Sequence, residues 1–304
     1  GEGDYTAGYN VELLLGQRAA NFSGEGDDFH IKNANIGLNV PFGNGIDVTV
    51  GLFDTIVGYE VEASGSNPNV MRSYGYQIEP FTHTGMLAST EITEGFSVSA
   101  GLINGFDSTA GLHNDHNGHA QLGYLAAAEL IAPDSLGFLG GSTAYLGYVN
   151  GNDEDNGSGL EEDNELIYIG GSLATPIEGL SLGIAYDDRT YQDDTEASAL
   201  AGYAVYQLTD GLTVGARYDT INLDPGGAED NIELITLTLG YSIWENLLTR
   251  LEFGWESGAG PIGTSVSDSI GRLADHAHSL DPSIPDQQDI GDSSYFALNL
   301  FYSF

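Results

Sequence analysis

Ser294-Tyr-Phe-Ala-Leu-Asn-Leu-Phe-Tyr-Ser-Phe304 places Phe296, Leu298, Leu300, Tyr302 and Phe304 at every second position. Ala297, Asn299 and Ser303 stand between them, and Phe301 is the one large apolar residue out of phase. Successive side chains of a strand point to opposite faces, so this spacing predicts a strand with one apolar and one small, polar face. The buried edge of a soluble sandwich would read the same way as the last strand of a transmembrane barrel. The rest of the chain has to decide.

The alternation recurs upstream. Over about 5–22, Tyr9, Val11, Leu13 and Leu15 oppose Asn10, Glu12, Gly16 and Arg18. Over about 29–42, Ala34, Ile36, Leu38 and Val40 oppose Asn33, Asn35, Gly37 and Asn39. Ile46, Val48, Val50 and Leu52 then oppose Asp47, Thr49 and Gly51, after a turn at Pro41–Gly45 whose Asn44-Gly45 pair tolerates positive φ. Further strands are expected at about 81–90, 94–106, 119–131, 138–149, 163–175, 178–191, 196–208, 211–223, 231–244, 246–258 and 294–304. The total is about 14, with a range of roughly 12–16, and the segment 196–208 is ambiguous in phase.

Short connections fall near 42–45, 91–94, 132–137, 176–177, 209–210 and 245. Those between them are mostly longer and polar, notably 58–80, 107–118, 150–162, 224–230 and 259–293. Short and long alternate in order, as tight periplasmic turns and longer external loops do in a transmembrane barrel. The reading is therefore all-β: one closed antiparallel transmembrane barrel over 1–304, in a bacterial outer membrane, with both termini periplasmic. The closing strand, ending on an aromatic, resembles the terminal strand of such barrels and is expected to pair with the first. Phe42, Trp244, Tyr302 and Phe304 near the short turns, and Tyr148, Tyr186, Tyr218 and Trp255 near the long loops, would form two aromatic girdles.

Composition is compatible. Seven Lys and Arg against 45 Asp and Glu give a formal charge of −38, which would repel nucleic acid, so no nucleic-acid partner is expected. There is no cysteine, hence no disulfide framework. The polar start at Gly1-Glu-Gly-Asp suggests a mature form. No apolar run reaches the roughly 18–20 residues of a membrane helix, which leaves a closed barrel as the way to span lipid.

A charge on the lipid face costs roughly 2–4 kcal/mol at the midplane, so charged strand positions belong inside. By parity Glu12, Arg18, Asp47, Asp187, Arg189, Arg217, Asp219, Arg250, Glu252 and Glu256 point inward, into an interior expected to be wet. Two uses are open for the arginines: to orient passing solutes, or to neutralise neighbouring carboxylates. Phe301 is also expected to point inward, against its hydrophobicity.

The segment 58–80 is too long for a turn and too weakly alternating for a strand. It carries Glu60, Glu62, Arg72 and Glu79, and a loop of this length can fold inward and set the size of a pore. Gly51-Leu-Phe-Asp-Thr-Ile-Val-Gly-Tyr-Glu60, Asn67-Pro68, Arg72-Ser-Tyr74, Glu79-Pro-Phe-Thr-His-Thr-Gly85 and Asn104-Gly-Phe-Asp107 resemble the putative beta-barrel porin-2, OmpL-like, family. That resemblance covers about 50–110. It implies an outer-membrane diffusion channel with 58–80 as its constriction, and no catalytic residues.

The external loops hold weaker signals. Asp153, Asp155, Glu161 and Glu162 offer alternating oxygens suited to Ca²⁺, although a solvated acidic loop reads the same way. His113, His116 and His119 stand at intervals of three in an expected loop, and His276 and His278 lie within 259–293. No cofactor is otherwise expected. His83 is the one strand histidine near a rim, and no serine pairs with it, so enzymatic activity is not expected.

The sequence thus predicts a porin passing small hydrophilic solutes, with cations preferred because carboxylates dominate. Its expected partners are outer-membrane lipid and lipopolysaccharide, with a homotrimer as an expected assembly. The alternative is a plugged structural or adhesive barrel working through its surface.

Overall fold

A computed structural model of the chain describes residues 5–16, 19, 29–107, 122–151, 164–191, 195–224, 230–257 and 293–303. Fourteen strands form one antiparallel sheet in chain order. They are β1 (Thr6–Leu15), β2 (Phe29–Val40), β3 (Ile46–Asp54), β4 (Thr82–Thr93), β5 (Phe96–Asn104), β6 (Leu122–Ile131) and β7 (Thr143–Gly151). There follow β8 (Asn164–Ala174), β9 (Leu180–Thr190), β10 (Glu196–Thr209), β11 (Leu212–Asp224), β12 (Asp230–Trp244), β13 (Leu247–Ser257) and β14 (Ser293–Tyr302). The expected number and order of strands are borne out. Thirteen ladders join chain neighbours; the expected pairing of β14 with β1 is not among those described.

Period-two patterning settles which face is which. On β14, Phe296, Leu298 and Leu300 are 76%, 79% and 66% exposed, while Tyr295, Ala297 and Asn299 between them are partly covered. The same apolar outer face runs through Tyr9 on β1, Leu237 and Leu239 on β12 and Leu251 on β13. A band of this extent is unsuited to water and matches a lipid-facing surface.

The register shifts in four strand pairs, three of them beside short turns, and the fourth is informative. The β1–β2 register shifts between Glu12 and Leu13, leaving Lys32 as the extra residue on β2. Lys32 and Asn33 are consequently both buried, whereas parity alone would set Lys32 beside Ala34 and Ile36 on the outer face. A bulge re-aims one side chain, and here it keeps an ammonium out of lipid.

Thr55–Phe81, between β3 and β4, folds into the interior. It contains a single 3₁₀ turn (Ser64–Ser66) and one short helix, α1 (Tyr74–Ile78), whose first turn is capped by Ser73 Oγ accepting from Tyr76 N at 3.3 Å. The interior it enters is not simply wet, contrary to the expectation for a barrel of this size. Val57 packs in an apolar cluster with Phe53, Ile103, Leu125, Val149 and Tyr168. Tyr74 and Ile78 pack with Ala197, Ala199, Ile221 and Leu234. The inserted segment brings its own apolar side chains, and small residues on the wall leave them room.

Glycines form its seats. A Cβ at Gly147 would collide with Val57, and one at Gly183 with the Tyr59 ring. Farther along the segment, the ring of Phe301 on β14 occupies the space a Cβ would take at Gly65. Phe301 points inward because it has an apolar partner there, which strand parity cannot reveal.

Candidate functional site

Backbone groups of the inserted segment have no ladder to join, and buried ones need partners. The inward charges of β9–β14 supply them. Arg217 on β11, 1% exposed, donates from Nη1 to Met71 O at 2.7 Å and from Nη2 to Arg72 O at 3.0 Å. It also donates from Nη1 to Glu60 Oε1 at 2.9 Å and from Nε to Asp219 Oδ2 at 2.7 Å. Glu60 in turn accepts from Ser73 N at 3.0 Å and Tyr203 Oη at 3.1 Å, and Asp219 accepts from Tyr74 N at 3.1 Å.

Arg250 and Glu252 on β13 repeat the device with opposite polarity. Arg250 Nη1 donates to Asn67 O at 2.8 Å and Asn69 O at 3.1 Å, and its Nη2 donates to Asn299 Oδ1 at 3.2 Å. Glu252 accepts from Val70 N at 2.5 Å, Met71 N at 2.9 Å, Thr238 Oγ1 at 2.6 Å and Tyr295 Oη at 3.0 Å. Arg189 on β9 donates to Ile78 O at 2.9 Å, with its guanidinium 4.4 Å from the Phe106 ring and 4.1 Å from that of Tyr191. Glu256 accepts from Tyr74 Oη at 2.6 Å. Charge-assisted bonds of this kind contribute about 1.5–3 kcal/mol each, so the segment is clamped.

One anchor is a carboxyl pair. Glu79 is hydrogen-bonded to Asp187 on β9. Burial, followed by the neighbouring Asp187 and Glu60 charges, holds the Glu79 carboxyl well above its ordinary value of 4.5. Two carboxyls this close and this deeply buried favour the state in which one proton is shared between them.

The facing wall, β1–β6, is unlike this. Lys32 Nζ lies 3.2 Å from Glu12 and 2.9 Å from Asp54, and Asn33 Nδ2 donates to Glu12 at 3.0 Å. Asp47, Asp54 and Glu91 are exposed, and Glu12 and Glu129 are partly so. Between the inserted segment and this wall, continued through β7 and β8, lies a space of about 400 Å³, bordered by Lys32, Asp54, Tyr59, Glu62, Glu129 and Tyr145. Arg72, the one base carried by the segment, donates to Glu62 O at 2.8 Å and stacks over Tyr76 at 5.1 Å. All five described basic residues thus bond to groups of the protein itself.

Of the residues singled out from sequence, Glu60, Glu79, Asp187, Arg189, Arg217, Asp219, Arg250 and Glu252 come together at the clamp. Glu62 and Arg72 bind each other within the segment, Glu12 belongs to the facing wall, and Asp47 lies near that wall's short-turn end, bonded to Asn39 at 2.7 Å. Arg18, Asp153, Asp155, Glu161, Glu162, His113, His116, His119, His276 and His278 lie outside the described residues. Among the described residues no three His, Asp or Glu side chains gather as a metal site. Sequence reasoning passed over Lys32, hidden by the bulge; Tyr203, in the strand of ambiguous phase; and Glu129, whose parity with Ala127 already placed it inside. Arg217 neutralises Glu60 and Asp219, one of the two uses open from sequence, and the arginines also hold loop backbone, a use not considered there.

A family model described as "Putative beta-barrel porin-2, OmpL-like" matches residues 2–281. Among solved structures, OmpF of Salmonella typhi superposes with a TM-score of 0.65 at 13% identity, covering 98% of this chain and 86% of that one. An anion-selective porin from Comamonas acidovorans gives 0.62 at 15% identity, covering 86% and 77%, and OmpT of Vibrio cholerae gives 0.58 at 14%, covering 91% and 82%. At these identities the likeness is one of fold. No curated protein matches the sequence.

Proposed function

The chain belongs to the Putative beta-barrel porin-2, OmpL-like, family and is an outer-membrane porin; from that premise we propose a water-filled passage for passive diffusion of small hydrophilic solutes, with cations preferred. The passage runs between the clamped segment and the β1–β6 wall. One observation carries the preference: every described base bonds to a loop carbonyl or to a side-chain partner, so carboxylates set the field along the passage. Fold likeness to an anion-selective porin does not oppose this, because selectivity resides in pore-lining charge rather than in the barrel.

The test is a planar bilayer under a potassium chloride gradient. The reversal potential should indicate potassium over chloride, and the preference should weaken as salt rises and screens the wall. Anion selectivity would overturn the reading.

Two further expectations belong to it. OmpT of Vibrio cholerae has been solved in a trimer form, and a homotrimer is proposed here, to be read by cross-linking in outer-membrane extracts. Both termini are proposed to be periplasmic, and Ca²⁺ at Asp153, Asp155, Glu161 and Glu162, bridging between loops near lipopolysaccharide, predicts that chelation lowers the extracted protein's melting temperature.

A second reading, the plugged barrel that works through its surface, draws support from the apolar clusters that seat Val57, Tyr74 and Ile78 in the interior. It predicts no conductance from the purified protein.

A further inference from the structure

The space beside the clamped segment has a chemistry of its own. Its border combines carboxylates, Asp54, Glu62 and Glu129, with the rings of Tyr59, Tyr145 and Tyr168. The rings are held in place. Tyr59 stacks on Tyr203 with centroids 4.2 Å apart, Tyr145 meets Tyr168 edge-on at 5.9 Å, and the Tyr145 hydroxyl donates to Ile56 O. Lys32, the one base at the border, is already bridged to Glu12 and Asp54. A volume of about 400 Å³ lies within the range of small-molecule sites.

Fixed aromatic faces attract a cation through the ring quadrupole and an apolar body through contact. Carboxylates nearby add charge attraction, and no unengaged base among the described residues offsets it. An anion would meet net repulsion, because the carboxylates outnumber the one paired ammonium of Lys32; a neutral alcohol would gain ring contact without charge, and a hydrated alkali ion would gain charge without contact. We infer that this cavity is a binding site for organic ammonium ions bearing a short apolar or aromatic body, so that such cations are slowed and selected beside the inserted segment. The inference rests on the reading of the chain as an open, cation-preferring channel and names the solute class for it.

Phenethylammonium and 2-phenylethanol share ring and chain length and differ in the charged group, which makes them the probes. In a bilayer, phenethylammonium should block the potassium current at a concentration about tenfold or more below that needed of 2-phenylethanol. Glu129→Gln and Tyr59→Leu should each raise its half-blocking concentration about fivefold. Equal block by the two probes, or block indifferent to both substitutions, overturns the inference.

Titration calorimetry of phenethylammonium into the detergent-solubilised protein reads the same site without any current. Binding there from a protein that conducts nothing would overturn the open channel and keep the site. A cation-selective conductance with no phenethylammonium binding would do the reverse.

Discussion

The β9–β14 wall and the β1–β6 wall are built from the same alternation, and both carry charge inward. On the first, Asp187, Arg217, Asp219, Arg250 and Glu252 are each at most 2% exposed and bind the inserted segment. On the second, Asp47 and Glu91 are exposed and Glu12 and Glu129 partly so. Identical side-chain chemistry therefore does opposite work on the two sides. Where the segment covers it, a charge is a structural group, sensitive to desolvation and hardly able to act on a passing ion. Where it is left wet, it is a field source that stability scarcely notices.

Substitutions should separate the walls in that order. Arg217→Ala leaves Glu60 and Asp219 buried without their cation, at a cost of about 3–5 kcal/mol. The segment should come free, unit conductance should rise, and trypsin should cut after Arg72, the one basic residue in Thr55–Phe81. Resistance of Arg72 to trypsin in this variant would show that the clamp lies elsewhere. Glu252→Gln removes the charged acceptor of Val70 N and Met71 N, for about 1.5–3 kcal/mol, and should give slower cleavage at the same bond.

Acidity should act on the clamp through Glu79. Its carboxyl sits above the ordinary 4.5 in the folded protein, so the folded state binds the extra proton. The stabilisation is then complete below pH 4.5 and is lost as pH rises from there through the raised value, about 1.4 kcal/mol for each unit of separation. Open-channel noise from the segment should grow with pH across that window, and Glu79→Gln should flatten the dependence. An unchanged pH profile in Glu79→Gln would remove the pair from the account. The smallest structural effect belongs to the facing wall: Asp47→Asn with Glu91→Gln should leave unfolding within about 0.5 kcal/mol of the parent, yet move the reversal potential toward zero.

Much of the barrel could be read locally. Tyr9, Val11 and Leu13 against Asn10 and Glu12, or Leu298 and Leu300 against Asn299, announce outer and inner faces because a strand's period is two residues wherever it lies. The inward address of Arg217 and Arg250 followed from the same rule. Their task did not, since parity says which way a side chain points and nothing of what it meets. Lys32 shows the limit from the other side: a bulge between β1 and β2 reverses its face, and a bulge is a property of two strands paired, not of one.

From the sequence alone come the number of strands, the alternation of short and long connections, the acid excess and the inward charges, all of which depend on neighbours a few residues away. The tertiary structure decided which wall the inserted segment occupies and so which charges remain for a solute. Glu60 and Arg217 are 157 residues apart, and Asn67 and Arg250 are 183 apart. Contacts over such separations come into being when the sheet curls around the segment, and desolvation then turns one set of arginines and carboxylates into a clamp while leaving the other set in water.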